Sequence, residues 1–595
     1  MTETAKTLPV LLAHFIIGLC ASLLWTFVSP APESLIEPFI LNHRLYEAFL
    51  LFIRFFPALM ISGILLGYAL SFGKAAEDPH VRWSPRFLKY LKGAFLLFLG
   101  CVAFQVILDE GVAPSLESSL IQYRSRSDDY REFIHLGISA ESSGDYDEGE
   151  RAALSALQIW KKSSEAEKLL ESIRYSRADT AGRIAEVASV PVKPLDLIPP
   201  GADSFGVLEL LKKTEQALEE RDYFAAHYYA MKAWSLASDT DPNKIAAMDY
   251  AAHAWNEIGE GSSRFIDSEE KSVYSDKLAG YSALQSGDAL RAYYIFSELQ
   301  ERIKSIDGRI DTDVDRFLVI SLNALAETHF FIDETENARP FESSRDVFFT
   351  MHHPDGSADY VFVRGITYLR SSGRDMAYLR GFELVRLEKD GSIRFHFETP
   401  YAKMFAARGM DGKERPQVLL RAVSRESEGV TWRPIVKKGS PSEAESAIQV
   451  LDMPYDDFAL VVSANRGIRT MQLADIIRFI NQSELYGFPK HELSIELISR
   501  LSEPFLLMIL AVFALVLAWR YRLGQNSLFK AWWVIAVPLF PFACIYAVET
   551  VRYLARIVIS HIVQVFPSQP IILILAVLFA GLFGVSALFF AQRTE

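Results

Sequence analysis

The stretch HELSIELISRLSEPFLLMILAVFALVLAW, residues 491–519, changes character at a single proline. Its first part is charged and carries Glu492, Glu496, Arg500 and Glu503. From Pro504 onward it is apolar enough to cross a bilayer, which takes about 20 residues of α-helix. Since no glycine separates the two parts, the pattern predicts one helix that leaves the membrane and continues into a polar domain.

The composition places apolar and acidic material in different parts of the chain. Half of the 595 residues are hydrophobic, yet the formal net charge is -13. This length predicts several domains. The acidic balance argues against nucleic acid as a partner, because phosphate binding needs clustered Lys and Arg. All three cysteines lie in apolar runs, so neither a disulfide framework nor a thiolate metal site is predicted for Cys20, Cys101 and Cys544.

Six apolar runs are long enough to cross a bilayer. They are roughly 8–29, 47–72, 91–110, 504–520, 529–551 and 569–591. The first is interpreted as a retained anchor, because it lacks a clean small-residue cleavage site and a second span follows soon after. Basic loops at 73–92 and 520–530 predict a cytoplasmic location for both loops and both termini. The polar segment of about 113–500 then lies on the far side of the membrane.

The first part of that segment, about 125–332, has a helical pattern in three places. The sequences GDYDEGERAALSA, RDYFAAHYYAMKA and GDALRAYYIFSEL each place an aspartate turn before small or apolar residues at helical spacing. They resemble the tetratricopeptide repeat, including Gly137 and Gly280 where that repeat favours a small residue. The alternative is a generic bundle of helical hairpins. Either predicts an α-helical domain over 113–335.

From about 341 to 466 the pattern changes to strands. Pro354-Asp355-Gly356 and Asp390-Gly391 are hairpin signals between β-rich runs. After the second turn an apolar face alternates with a polar one, and its apolar members are Ile393, Phe395 and Phe397. This predicts an antiparallel sandwich or jelly-roll-like domain over 336–470. Connecting helices at 471–503 follow, and then the last three spans at 504–595. The first three spans occupy residues 1–112.

Two sets of residues carry a family resemblance. The first is a helix, a glycine-containing break and a Glu-x-x-x-Arg-x-x-x-Pro run into a span, at Leu473, Asp475, Ile476, Gly487, Glu496, Arg500, Leu501 and Pro504. The second, in span two, is Pro57, Leu65, Leu66, Leu70, Gly73 and Lys74. Together they resemble the lipopolysaccharide export permease family (LptF/LptG, also called YjgP/YjgQ). The helical segment is an addition to the family pattern.

The resemblance implies a multi-domain protein of the inner membrane. Six transmembrane helices, three plus three, would flank a periplasmic segment made of the α-helical repeat-like and β jelly-roll-like domains. It also implies a permease subunit of an ABC-type lipid or lipopolysaccharide exporter. The implied partners are a cytoplasmic subunit that binds the ATP, a second six-span permease subunit, a periplasmic bridge protein of similar β fold, and the lipid or glycolipid substrate. The 73–92 loop, with Arg82 and Arg86, is the candidate ATPase-docking site.

The candidate site residues each have a simpler alternative. Glu496, Arg500 and Pro504 are predicted to join the outer domain to span four, although an i,i+4 pair on a helix surface would have the same spacing. Headgroup contacts are predicted at Arg54, Arg552 and Arg556. The alternative for these arginines is that they reach the interface without a ligand. Finally, Ile393, Phe395 and Phe397 either line a lipid groove or fill an ordinary core.

Enzyme motifs are absent from the sequence. There is no GxxxxGK[ST] loop to bind ATP and no nucleophile elbow. His352 and His353 are adjacent on a predicted strand and point to opposite faces, so they do not form a metal site. A transporter permease without its own cofactor is therefore favoured over a membrane transferase. The remaining alternative is a membrane-anchored repeat scaffold that recruits envelope proteins without transport.

Overall fold

The computed structural model describes most of the chain. The described residues are 3–72, 85–181, 206–238, 240–261, 268–307, 311–371, 374–409, 412–521, 533–567 and 569–592. The protein is mostly helical, and a β-sheet region lies in the sequence between two groups of apolar helices.

The first group contains three long helices. They are α1 (Glu3–Val28), α2 (Glu37–Phe72) and α3 (Pro85–Ile107). α1 approaches α2 closely where α2 carries small residues: a Cβ added at Gly67 would lie 2.5 Å from the Thr7 side chain. α3 passes without a break into a π-helix, Leu108–Val112, and then into α4 (Ala113–Ser143). The predicted boundary between span three and the polar segment therefore falls inside one continuous helical rod.

The described residues of the next part of the chain are mainly helical. After α4 come α5 (Tyr146–Ile159), α6 (Ser164–Ala181), α7 (Val207–Glu219), α8 (Tyr223–Leu236), α9 (Asn243–Gly261), α10 (Ser268–Gln285), α11 (Ala289–Asp307) and α12 (Thr312–Ala326). Consecutive helices pack together as α4–α5–α6, α7–α8–α9 and α10–α11–α12.

The three aspartate turns of the helical pattern are confirmed. Each caps the helix that follows it, because Asp145, Asp222 and Asp288 accept backbone N–H bonds of 3.1 Å at α5, α8 and α11. The two glycines allow close packing: an added Cβ would lie 2.7 Å from Leu169 at Gly137 and 3.0 Å from Phe296 at Gly280. A small residue at each position therefore lets neighbouring helices pack closely.

An antiparallel sheet follows. Its strands are β2 (Ser344–His352), β3 (Ala358–Ser371), β4 (Arg374–Leu387), β5 (Ile393–Arg408), β6 (Glu414–Leu419), β9 (Ile435–Gly439) and β10 (Ile448–Val450). The order is β10-β6-β5-β4-β3-β2, with β9 paired to β5. Neighbours from β2 to β6 are thus consecutive in sequence, as in a meander. A smaller sheet contains β1 (Phe330–Phe331), β7 (Ala422–Val423) and β8 (Thr431–Trp432).

Both predicted hairpins are confirmed. The β2–β3 turn contains Gly356 at φ +88° and the β4–β5 turn contains Gly391 at φ +81°. In each turn the preceding aspartate, Asp355 or Asp390, accepts hydrogen bonds from the serine two residues later. Short helices α13 (Ile332–Ala338) and α14 (Glu443–Ala447) flank the strands.

Three helices cover one face of the larger sheet. They are α15 (Tyr455–Arg466), α16 (Leu473–Phe479) and the first part of α17 (Lys490–Arg520). Leu493 and Leu497 of α17 belong to the same buried core as the sheet residues. Farther along, α17 packs with α2 and α3, where Trp519 meets Phe72 edge to face at 5.0 Å between ring centroids. One unbroken helix thus contributes to two cores, as predicted from residues 491–519.

The chain ends with α18 (Trp533–Val565) and α19 (Pro570–Phe590). In the described part of the chain, five helical stretches are long and apolar enough to cross a membrane: Thr4–Val28, Glu37–Phe72, Leu88–Ser143, Lys490–Arg520 and Pro570–Phe590. The predicted span 529–551 starts outside the described residues. These helices and the separate sheet are compatible with a multi-domain membrane protein.

Candidate functional site

Arg500 occupies the joint between the sheet region and the apolar helices. Its Nε donates to Glu496 Oε1 at 3.1 Å, and its Nη1 lies 3.3 Å from Glu110 Oε2. The same guanidinium donates to the backbone carbonyls of Met471 and Arg469, both at 2.7 Å. The Arg500 and Glu496 side chains are only 13% and 11% exposed. The pair is therefore part of a multi-segment contact and not an isolated surface pair.

The carbonyls that Arg500 binds belong to a tight turn after α15. Gly467 ends α15 at φ +124°, a backbone conformation that side chains disfavour, and a 3-10 helix, Ile468–Thr470, follows. Carbonyl groups at such a helix end lack partners within the helix and need donors from elsewhere. The planar guanidinium supplies several donors at once, which explains why an arginine suits this position better than a lysine.

Glu110 connects the same turn to the end of α3. It lies on the π-helix, and its Oε2 accepts the backbone N–H of Leu473 at 3.0 Å, at the start of α16. A carboxylate is favoured there because the first amides of a helix are unpaired and carry partial positive charge. The Glu110 side chain thus holds both Arg500 and α16 against the rod that contains α3 and α4.

A second set of ion pairs connects α17 to α18. The remaining oxygen of Glu496, Oε2, accepts from Arg556 Nη2 at 3.0 Å. One turn earlier on α18, Arg552 pairs with Glu503 of α17 and, at 3.1 Å, with Glu549. Removing one partner of such a partly buried pair leaves an uncompensated charge, so these contacts oppose separation of the two helices.

The three arginines predicted as headgroup contacts have different environments. Arg552 and Arg556 are brought together on α18, and both are bound by carboxylates of α17. Arg54 lies exposed on α2, and within the described residues it forms no ion pair. Of these three arginines, Arg556 alone also lines an open cleft.

That cleft has a volume of about 990 Å³ and is bounded by the turn after α15, the start of α17 and the end of α18. Its charged or titratable lining residues are Arg466, Arg469, Glu492, Glu496, Arg556 and His561. Its apolar lining includes Ile468, Phe488, Ile495, Tyr553 and Ile557. A surface with several cations beside apolar side chains suits an amphipathic anion. We call this site the joint cleft.

The predicted lipid-lining strand residues are buried to different degrees. Phe395 and Phe397 are fully buried, and their rings stack 5.7 Å apart in the core beneath α15, α16 and α17. A ring without exposed surface offers nothing to an acyl chain in this conformation, so the core alternative describes both residues. Ile393, at the start of β5, is half-buried.

The candidate docking residues lie largely outside the described part of the chain. Arg82 lies outside the described residues, and Arg86 lies in α3 with its side chain outside them. Sequence reasoning missed Glu110, Arg469 and His561. Glu110 offered a signal, because an acidic residue at the end of an apolar run is expensive near lipid and marks a candidate site.

The fold and the joint define a class: a mostly helical chain with an antiparallel sheet joined by a continuous helix to apolar helices. No family model matches the chain, and no curated protein matches it.

Proposed function

We propose that this protein is a permease subunit of an ABC-type exporter of lipid, glycolipid or lipopolysaccharide. It would lie in the inner membrane with six transmembrane helices, three plus three, and with the 113–500 segment in the periplasm. In this proposal the antiparallel sheet corresponds to the jelly-roll-like domain of the LptF/LptG family. The sheet would pass lipid that has been extracted from the membrane to a periplasmic bridge of similar β fold.

The observation that carries the proposal is the double role of α17. Leu493 and Leu497, near its start, pack in the sheet core, whereas Leu515 and Trp519 pack among the apolar helices. A simple membrane anchor does not need a rigid connection between its anchor and its outer domain. A continuous helix held by Arg500 can transmit a shift of the apolar helices to the sheet, which a flexible linker does not.

The proposal requires partners. The energy would come from a cytoplasmic ATP-binding subunit that docks at the 73–92 loop near Arg82 and Arg86. A second six-span permease subunit would complete the membrane pathway, because the family works as a pair. The absence of a GxxxxGK[ST] motif in the chain is consistent with ATP being bound by a partner.

Purification of the full-length chain from its own membranes in a mild detergent tests this function. We expect an ATP-binding protein and a second multi-span protein to copurify. We also expect the complex, reconstituted in lipid vesicles, to release lipid to a soluble acceptor only when ATP is hydrolysed. A purified chain that brings down no ATPase, or lipid release that does not depend on ATP, would contradict the proposal.

A scaffold function is the second candidate, and one observation favours it. The α8–α9 helices expose large apolar side chains, namely Trp234, Ile245, Met248 and Trp255. Helical arrays with such surfaces commonly bind other proteins. If the scaffold function is correct, no ATP-binding protein should copurify, and Ile245→Glu combined with Met248→Glu should remove the copurifying envelope proteins. The permease proposal expects the ATPase to remain the dominant partner.

A further inference from the structure

We propose that the joint cleft binds the phosphate-bearing headgroup of an anionic lipid, whose acyl chain lies on the apolar face of α18. The identity of this lipid as export substrate rests on the proposed function, whereas its binding can be measured independently. The site differs from the predicted headgroup set, since it uses Arg466, Arg469 and His561 and shares only Arg556 with that set.

The first support is the uncompensated positive charge in the cleft. Within the described residues, the side chains of Arg469 and His561 form neither an ion pair nor a hydrogen bond. Arg466 donates only to neutral oxygens, those of Ser343 and Ser344. Desolvation lowers the pKa of Arg466, as expected for a guanidinium near the sheet with no carboxylate partner. Arginine side chains arranged in this way favour phosphate oxygens, which accept paired hydrogen bonds.

Within the described residues, the acids that line the cleft form no ion pair with Arg466 or Arg469. Glu496 is already shared between Arg500 and Arg556, with one carboxylate oxygen committed to each. Glu492 is exposed at the start of α17. The Arg469 guanidinium, and the part of the Arg466 guanidinium that does not bind Ser343 and Ser344, therefore remain available to an anionic ligand that enters from outside.

The second support is the apolar wall that adjoins the charged one. Tyr553 and Ile557 line the cleft and are 66% and 49% exposed. Leu554 and Val558, on the same stretch of α18, are also exposed. A contiguous exposed apolar face is uncommon on a water-soluble surface. Beside a cluster of cations it fits an acyl chain, and this combination favours a lipid over a free phosphate ion.

Binding at this site would act on the joint itself. A headgroup phosphate that contacts Arg556 competes with Glu496 for the same guanidinium. Glu496 would keep its bond to Arg500, so the contact between α17 and α18 would loosen while the contact between α17 and the turn after α15 persists. Lipid binding would thereby weaken one side of the joint selectively, which links occupancy of the cleft to the position of α18.

Equilibrium binding to the full-length protein in a neutral detergent tests the site. The probes are phosphatidylglycerol, phosphatidylcholine with the same acyl chains, and inorganic phosphate, with bound lipid counted by native mass spectrometry. We expect selective binding of phosphatidylglycerol and about tenfold weaker binding in Arg469→Gln. Arg469→Lys should restore part of the affinity, since the charge is kept. The matched control is Arg478→Gln, an exposed arginine of α16 outside the cleft.

The outcomes separate the alternatives. Ile557→Ser should weaken lipid binding without changing phosphate binding. If inorganic phosphate displaces the lipid at similar concentrations, the site is a free-anion site and the lipid assignment is overturned. Equal affinity in Arg469→Gln and Arg478→Gln would overturn the cleft as the site. If phosphatidylglycerol binds as expected but no ATPase copurifies, the export function fails and the binding site stands.

Discussion

Arg500 on α17 and Glu110 on the π-helix lie 390 positions apart in the sequence, yet their side chains form an ion pair of 3.3 Å. The pair brings two distant parts of the chain into contact at the boundary between the apolar helices and the sheet. Glu110 follows the last helix of the first apolar group, and Arg500 precedes the apolar part of α17. Together they fix the turn after α15 between the two groups, so the sheet is held from two sides.

Loss of the Arg500 guanidinium should open this boundary. In Arg500→Met the carbonyls of Met471 and Arg469 lose their donor, and Glu496 and Glu110 lose a counter-charge. Breaking a partly buried network of this kind costs about 3–5 kcal/mol. We expect faster hydrogen exchange at amides 468–476 of the full-length protein in detergent, by mass spectrometry. Exchange in Arg500→Lys should be intermediate, and exchange in Arg478→Met should equal that of the unmodified protein. If exchange in Arg500→Met is unchanged, the network is not what holds the turn.

Gly467 should be hard to replace although there is room for a side chain. It sits at φ +124° and ψ +133°, and an added Cβ would meet nothing within 4 Å. The cost of Gly467→Ala is therefore backbone strain alone, about 1–3 kcal/mol. The expected result is increased proteolysis after Arg466 or Arg469 by trypsin under native conditions. Gly206→Ala, an uncrowded glycine at φ -67°, is the control; equal cleavage rates in the two variants would argue against strain at Gly467.

Acidification should loosen the contact between α8 and α10. His227 Nδ1 lies 2.7 Å from the Tyr281 hydroxyl, and burial lowers the pKa of His227 below its usual value near 6.5. The unfolded state then binds a proton more readily than the folded state. The stabilisation is therefore complete above about pH 6.5 and is lost as the pH falls below that value.

Hydrogen exchange at α8 and α10 measures this effect, after correction for intrinsic rates. We expect protection to be lower at about pH 5 than at about pH 7.5 in the unmodified protein, with the loss below about pH 6.5, because the His227 pKa is depressed. In His227→Gln the dependence on pH should largely disappear. His253→Gln, an exposed histidine of α9, should keep it. A pH dependence of equal size in His227→Gln would assign it to other groups.

The basic loop offers a test of ATPase docking. Charge reversal at Arg82 or Arg86 should reduce copurification of the ATP-binding subunit, because the positive loop would contact a complementary surface of that partner. Raising the salt concentration should weaken copurification with the unmodified protein, because salt screens charge–charge attraction. The difference between the unmodified protein and the variants should therefore diminish. Arg478→Glu is the control, as an exposed arginine on a different segment. If all three variants retain the partner equally, the 73–92 loop is not the docking site.

Local signals predicted local structure well. The absence of glycine between His491 and Trp519 predicted a continuous α17, and Asp390-Gly391 predicted its hairpin. The alternation at Phe395 and Phe397 identified one apolar face, but not what covers it. That face is closed by α15, α16 and α17, and the arrangement depends on packing between distant segments. Alternation alone is equally compatible with a lipid groove.

The joint itself was predicted only in part. The Glu496–Arg500 spacing is visible in the sequence because both residues lie on one helix, one turn apart. Glu110 and Arg556 are distant in sequence, and charge alone does not tell which carboxylate pairs with which guanidinium. The joint cleft depends on three segments meeting, so Arg466, Arg469 and His561 had no pattern that connected them.

The continuity of α17 supplies the sharpest test of transport. Two glycines inserted between Ser502 and Glu503 would interrupt the helix between its two cores, because glycine in a helix interior costs about 1 kcal/mol each and exposes the backbone. The insertion lies after Arg500, so its contacts with the turn can persist. ATP hydrolysis and partner copurification should remain, whereas ATP-dependent lipid release should fall to the level without ATP. The same two glycines inserted after Gly356, in an exposed hairpin turn, should leave lipid release unchanged. Undiminished release after the α17 insertion would mean that motion reaches the sheet by another route, and a rigid α17 would not be the coupling element.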